Sequence, residues 1–278
     1  MVRVIGKISM PKLKLVLVCS AFNVFAEMTV RGIFGLFQGL LPLFLFFHYV
    51  TYFYIIIHFI GKSRGYDMAV LAVGTAYAWF VMIFETGLAF VWGIASWLIF
   101  IPIIFIGEWG ILQTLLPLYI SKKYLKIKLT ESRLSKIGWV CCIGYLIVFC
   151  VFSFPGAIKG ALWLYLLSFI TFGFNLIVAW KLIKKGEQID LRDMNIDKSK
   201  NSNFLVIWFI LTIVIGIFSG IITPFLFQPL TTRNGREVFY VQSFTIMTLW
   251  SLLSAIVILG WRYKKNRLLM PYEIKQKL

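Results

Sequence analysis

Charge is missing from long stretches of this chain, and that constrains its fold more than any other feature. Of 39 charged residues in 278, only four fall inside its apolar runs of 18 to 26 residues: Glu27, Arg31, Glu85 and Glu108. Runs of that length match the hydrocarbon thickness of a bilayer. Lipid offers backbone groups no hydrogen-bond partner, so each run must close its own bonds as a helix; the alternating ten-residue strands of a membrane barrel are absent. The expected fold is all-α: a polytopic helical membrane bundle of about eight transmembrane helices.

Composition agrees. The chain is 60% hydrophobic and 14% charged, with 27 Phe, 12 Tyr and 10 Trp, against about 25% charged in an ordinary soluble domain. Its longest polar stretch, roughly 181–203, is far below domain size. A nucleotide-binding or catalytic globular unit therefore has no place in it, and energy coupling would come from a gradient or a separate subunit. The net charge of +17 sits in clusters at the ends of apolar runs. There it orients a membrane protein and favours anionic lipid headgroups, rather than nucleic acid.

The clear spans are 15–37, 39–60, 137–154, 160–180, 204–228 and 239–261. Residues 67–121 read either as two long helices, about 68–92 and 95–120, or as three short ones broken at Glu85-Thr86-Gly87 and Gly107-Glu108-Trp109-Gly110. Basic residues discriminate. Two helices put 24 Lys and Arg on one side and only Lys159, Arg233 and Arg236 on the other; three helices give 18 against 9. The positive-inside rule selects two, hence eight spans with both termini cytoplasmic. The halves are then 1–121, which holds all four buried charges, and 122–278, with basic loops and tail. The basic start resembles a signal peptide, but Asn23 interrupts the end of its apolar run, so an uncleaved first span is expected.

In the first span Ser20, Asn23, Glu27, Arg31 and Gly35 recur at three- and four-residue steps and form one stripe. Glu27 precedes Arg31 by one turn, the favourable order for an ion pair. Such a stripe faces other helices or a hydrated cavity, as a bracing salt bridge or as the lining of a substrate or proton site. Glu85 and Glu108 have no basic residue one turn away, so each is expected to be protonated, hydrated or paired across helices. Around Glu85, Gly74, Ala78, Val81, Ala89 and Trp92 share a face whose small residues suit close packing. His48 lies in the second span beside Tyr49, Tyr52 and Tyr54 and is expected to join the polar centre; His58, near Lys62, fits the interface. The candidate intramembrane site is thus Asn23, Glu27, Arg31, His48, Glu85 and Glu108.

Other chemistry is poorly supplied. Two histidines on one helix do not make a bis-histidine haem or a histidine-rich metal site. Cys19, Cys141, Cys142 and Cys150 lie in apolar runs without metal-ligand spacing and read as inert thiols. Asp190, Asp193 and Asp197 have a spacing similar to an aspartate motif of intramembrane aromatic and lipid prenyltransferases. That resemblance implies Mg²⁺ and pyrophosphate on a cytoplasmic loop. The family needs a second aspartate-rich motif, and the loop after the second span offers only Asp67, so a solvated mixed-charge loop is the reading preferred. Trp109, Trp163, Trp180, Trp208 and Trp261 need no special role, several lying near span ends. The function expected is transporter- or permease-like. The alternatives are a membrane-embedded enzyme acting on a lipid or isoprenoid through buried carboxyls, and a quinone-facing anchor subunit. A partner subunit or a homo-oligomer is compatible with each.

Overall fold

A computed structural model describes residues 10–31, 40–63, 65–85, 101–125, 134–157, 162–188, 202–226, 230–231, 238–239 and 241–265. Among them lie eight helices: α1 (Met10–Arg31), α2 (Leu41–Lys62), α3 (Asp67–Phe80, continued by a π turn, Val81–Glu85), α4 (101–125), α5 (Lys136–Ala157), α6 (Leu162–Gln188), α7 (Ser202–Leu226) and α8 (Val241–Lys265). Between α7 and α8 a two-residue antiparallel ladder pairs Leu230 with Phe239 and Thr231 with Val238, so α8 starts two residues later than the span read from hydropathy. Residues 42–62, 166–188, 203–222 and 245–263 are long and apolar enough to cross a membrane; 67–83 and 136–151 are shorter apolar segments.

The break considered at 107–110 does not occur. Helix α4 runs through it, with Ile101–Ile104 and Leu116–Leu125 flanking an eleven-residue π-helix, Phe105–Leu115. There the Leu116 N–H bonds the Ile111 carbonyl, five residues back, and the Thr114 hydroxyl donates to the Trp109 carbonyl. Pro117 follows at once; it has no N–H, and its ring crowds the preceding turn, which disfavours α geometry there. π segments are rare and concentrate at functional sites. Both Glu85 and Glu108 lie on one.

Helix α3 is the axis of the bundle, packed by α2, α4 and α6, with its π turn against α5. Twelve of its first fourteen residues are buried, the pattern of a helix enclosed on all sides. Between α3 and α4, Gly74 meets Thr114 and Gly110 meets Leu71 and Thr75, small residues letting the backbones approach. Trp79 packs edge-on to Phe105 at 4.8 Å. Outside, Val140, Ile147, Leu166, Phe174, Ile207 and Ile256 are exposed, as a lipid-facing surface requires. Helices α7 and α8 zip along an aromatic ladder: Trp208 stacks on Trp250 at 4.8 Å, and Phe204 on Trp261 at 5.1 Å. Their indole N–H groups donate to Ser254 and Thr212.

One end of the bundle is tied by polar contacts. Asp67, at the start of α3, receives Arg262 of α8 bidentately, from Nε at 2.8 Å and Nη2 at 2.9 Å. His58 Nδ1 accepts the Leu134 N–H at 3.0 Å, and Gly186 abuts Ser63.

Candidate functional site

The polar residues of α1, α2 and α4 meet inside the bundle. Tyr49 Oη donates to Glu27 Oε2 at 3.2 Å and lies 3.4 Å from Gln113 Oε1. Gln113 Nε2 donates to Glu108 Oε1 at 3.2 Å. Residues five apart diverge by about 140° on an α-helix but come onto one face in π geometry, so the π stretch is what lets Glu108 and Gln113 touch. Glu108, Tyr49 and Gln113 are buried, Glu27 is half-buried, and the two carboxyls are close enough for their charges to interact.

Aromatic rings enclose this chain of groups. Trp109 lies 6.0 Å from both Tyr49 and Tyr52 and 6.2 Å from Tyr77. Tyr52 hydrogen-bonds Thr114, and Tyr77 Oη pairs with His48 Nε2 at 3.2 Å. His48 also packs on Phe149 of α5 at 5.3 Å. A low-polarity shell of this kind strengthens electrostatic interactions inside it. Trp109, for which the sequence suggests no special role, therefore sits at the heart of the cluster.

Of the candidate residues, Glu27 and Glu108 are joined through Tyr49 and Gln113. His48 stands beside them on the Tyr77 branch. Asn23 is fully buried one turn from Glu27. The side chains of Arg31 and Glu85 lie outside the described residues, as do Ala89, Trp92 and the Asp190–Asp193–Asp197 loop. Among the cysteines, Cys19 and Cys142 are buried, Cys150 is half-buried and Cys141 is exposed on the apolar outer face of α5. Sequence reasoning missed Tyr49, Gln113 and Thr114 as participants. The available signal was the Gln113-Thr114 pair, polar and buried deep in an apolar run. It missed the Asp67–Arg262 bridge entirely.

Among the described residues no cluster of three His, Cys, Asp or Glu is placed to hold a metal ion. What the site offers is two carboxyls, a phenol and an amide in hydrogen-bond series: groups that bind, orient and exchange protons. No protein-family model matches the chain, and no match is found among curated proteins or solved structures.

Proposed function

We propose that this protein is an eight-span membrane transporter that couples solute movement to protons through Glu27 and Glu108. The observation that carries this reading is the series Glu27–Tyr49–Gln113–Glu108, which joins α1 and α2 to the π stretch of α4 inside an aromatic shell. Tyr49 has one hydroxyl proton and two acceptors near it, so it stands at a branch. As placed, Gln113 donates to Glu108, which suits an ionised Glu108. Rotating the Gln113 amide by half a turn exchanges its donor and acceptor. A protonated Glu108 then donates to Gln113 Oε1, Gln113 Nε2 donates to Tyr49, and Tyr49 donates to an ionised Glu27. The amide thus has one orientation for each charge state of Glu108, and the carboxyl at the far end senses which is occupied. Coupling by protonation needs a two-state element of this kind.

The topology in this proposal has both termini cytoplasmic. The contacts tying Asp67 to Arg262, Ser63 to Gly186 and His58 to Leu134 join segments among those that carry the 24 basic residues of that side. A single face gathers these ends, as an up-and-down bundle with inward basic loops requires.

The test is proton uptake by liposomes that hold the purified protein and an internal pH dye. An inside-negative potential is imposed, and amino acids, sugars, polyamines and nucleosides are added in turn. Wild-type protein is expected to acidify the lumen under the potential or on addition of one solute class, and Glu108→Gln to reduce this at least tenfold. Absence of uptake in the wild type under all these conditions, or its survival in Glu108→Gln, overturns the proposal.

A further inference from the structure

Asn23 is a buried polar residue beside the relay that the relay does not use. It is 0% exposed, and neither its amide nitrogen nor its amide oxygen has a hydrogen-bond partner among the described residues. Buried hydroxyls of the bundle can be satisfied by their own helix: Ser20, on the turn before Asn23, donates to the Val16 carbonyl at 2.7 Å, and Thr75 of α3 to the Leu71 carbonyl at 3.0 Å. An amide that keeps two donors and an acceptor unused in a helix interface pays for desolvation with no return.

Its position shows which surface it serves. Residues four apart on α1 share a face. Four residues before Asn23 is Cys19, whose Sγ lies 3.4 Å from Ser121 Oγ at the end of α4. Four residues after it is Glu27, bonded to Tyr49. Phe22, about a quarter-turn away, packs on Phe209 of α7 at 4.6 Å. Asn23 therefore belongs to the α1 face turned towards α2 and α4, between Glu27 and the Cys19–Ser121 contact. The same face continues through Val16, 0% exposed, to Lys12, 7% exposed, whose ammonium lies 5.8 Å from the Tyr54 ring centre at the basic end of the bundle.

We propose that Asn23 anchors internal water that joins Glu27 to the Cys19–Ser121 contact and forms the proton entry to the site from the basic end. The spacing admits it: Asn23 and Glu27 lie one turn apart on one face, yet neither polar atom of the Asn23 amide bonds the carboxylate directly, so a water between them serves both. One such water takes its partners from the Asn23 amide and the Glu27 carboxylate, and a second, one turn towards the basic end, from the Asn23 amide and the Ser121 hydroxyl beside Cys19. A hydronium in this chain passes one proton to a Glu27 oxygen: an O–H bond breaks in the hydronium, another forms on the carboxylate, and neutral water remains. The water site stands on geometry alone; its role as an entry route rests on the proposed proton coupling.

Two measurements separate these claims. Radiolysis generates hydroxyl radicals from bound water as well as from bulk, and sulfur beside such water is readily oxidised. Cys19 is expected to be oxidised in the folded wild-type protein despite being 0% exposed. Asn23→Leu, similar in size and unable to hold water, should lower that oxidation at least fivefold and leave Cys142 unchanged. No oxidation of Cys19 in the wild type, or equal oxidation in Asn23→Leu, overturns the water site. The liposome assay reads the route: Asn23→Leu should slow proton uptake at least tenfold, while Asn23→Ser, which leaves room for an extra water, retains it. Asn23→Leu should also melt no lower than wild type, because no protein hydrogen bond is lost. Unchanged uptake in Asn23→Leu overturns the route, and a much lower melting temperature shows that the amide had protein partners and overturns the site. Oxidation of Cys19 in a wild type that moves no protons supports the water site and counts against the proton coupling alone.

Discussion

Removing Arg262 should destabilise the bundle strongly, although the residue is far in sequence from everything else at its site. Asp67 is 0% exposed and Arg262 18%, and they meet through two charge-assisted hydrogen bonds of 2.8 and 2.9 Å. Breaking a buried pair by deleting one partner costs about 3–5 kcal/mol, because the other charge stays desolvated. Here the lower end applies. Arg262 is partly wet, and Asp67 keeps a 2.8 Å bond from the Met68 N–H at the start of α3, where a helix N-terminus favours negative charge. Taking about 3 kcal/mol, and roughly 2–4 °C per kcal/mol for a chain of this size, Arg262→Gln should melt about 6–12 °C below wild type. Tryptophan fluorescence during heating in detergent measures this. Adding Asp67→Asn removes the buried charge that has lost Arg262 and should recover most of the loss, since buried pairs are often replaceable as a unit. A single variant that melts within about 2 °C of wild type, or a double variant no better than the single, would refute the reasoning.

Gly107→Ala should be severely destabilising, because its Cβ would collide with the Ser251 backbone carbonyl of α8. Gly173→Ala meets nothing within 4 Å and should be neutral; melting temperatures of the two compare them directly. Tyr49→Phe keeps the ring packing against Trp109 but removes the hydroxyl between Glu27 and Gln113. It should therefore fold normally while proton uptake falls at least tenfold. A single cysteine at position 128, in a protein cleared of its native thiols, should react with membrane-impermeant reagent only after cells are opened, as an inward basic loop requires.

Much of the helical framework was legible in the sequence because apolar run length is a direct record of membrane thickness. Its boundaries are not a matter of hydropathy alone: α8 continues past its apolar run to Lys265, and the added turn carries Arg262, which bonds Asp67, 195 residues away. The glycines flanking Glu108 and Trp109 looked like a helix break. In three dimensions they are the flat patches where α3 and α8 approach α4, and the backbone between them widens to π geometry instead of breaking. That widening is also why the link between Glu108 and Gln113 could not be read from α periodicity. The stripe of Asn23 and Glu27 was visible because both keep ordinary α spacing. Tyr49 and Tyr52 were visible as residues near His48, but only the fold shows that they turn to α4 while His48 turns to α3 and α5.

Coupling between the two carboxyls is the central claim, and infrared difference spectroscopy across a pH step tests it most directly. Films of the reconstituted protein are compared as wild type, Glu27→Gln and Glu108→Gln. Each single variant should lose one protonated-carboxyl band, and Glu27→Gln should also move the midpoint at which the Glu108 band titrates. That shift should persist in an Arg262→Lys background, which leaves the site intact. A Glu108 band with the same position and midpoint with and without Glu27 would show two independent carboxyls and contradict the relay.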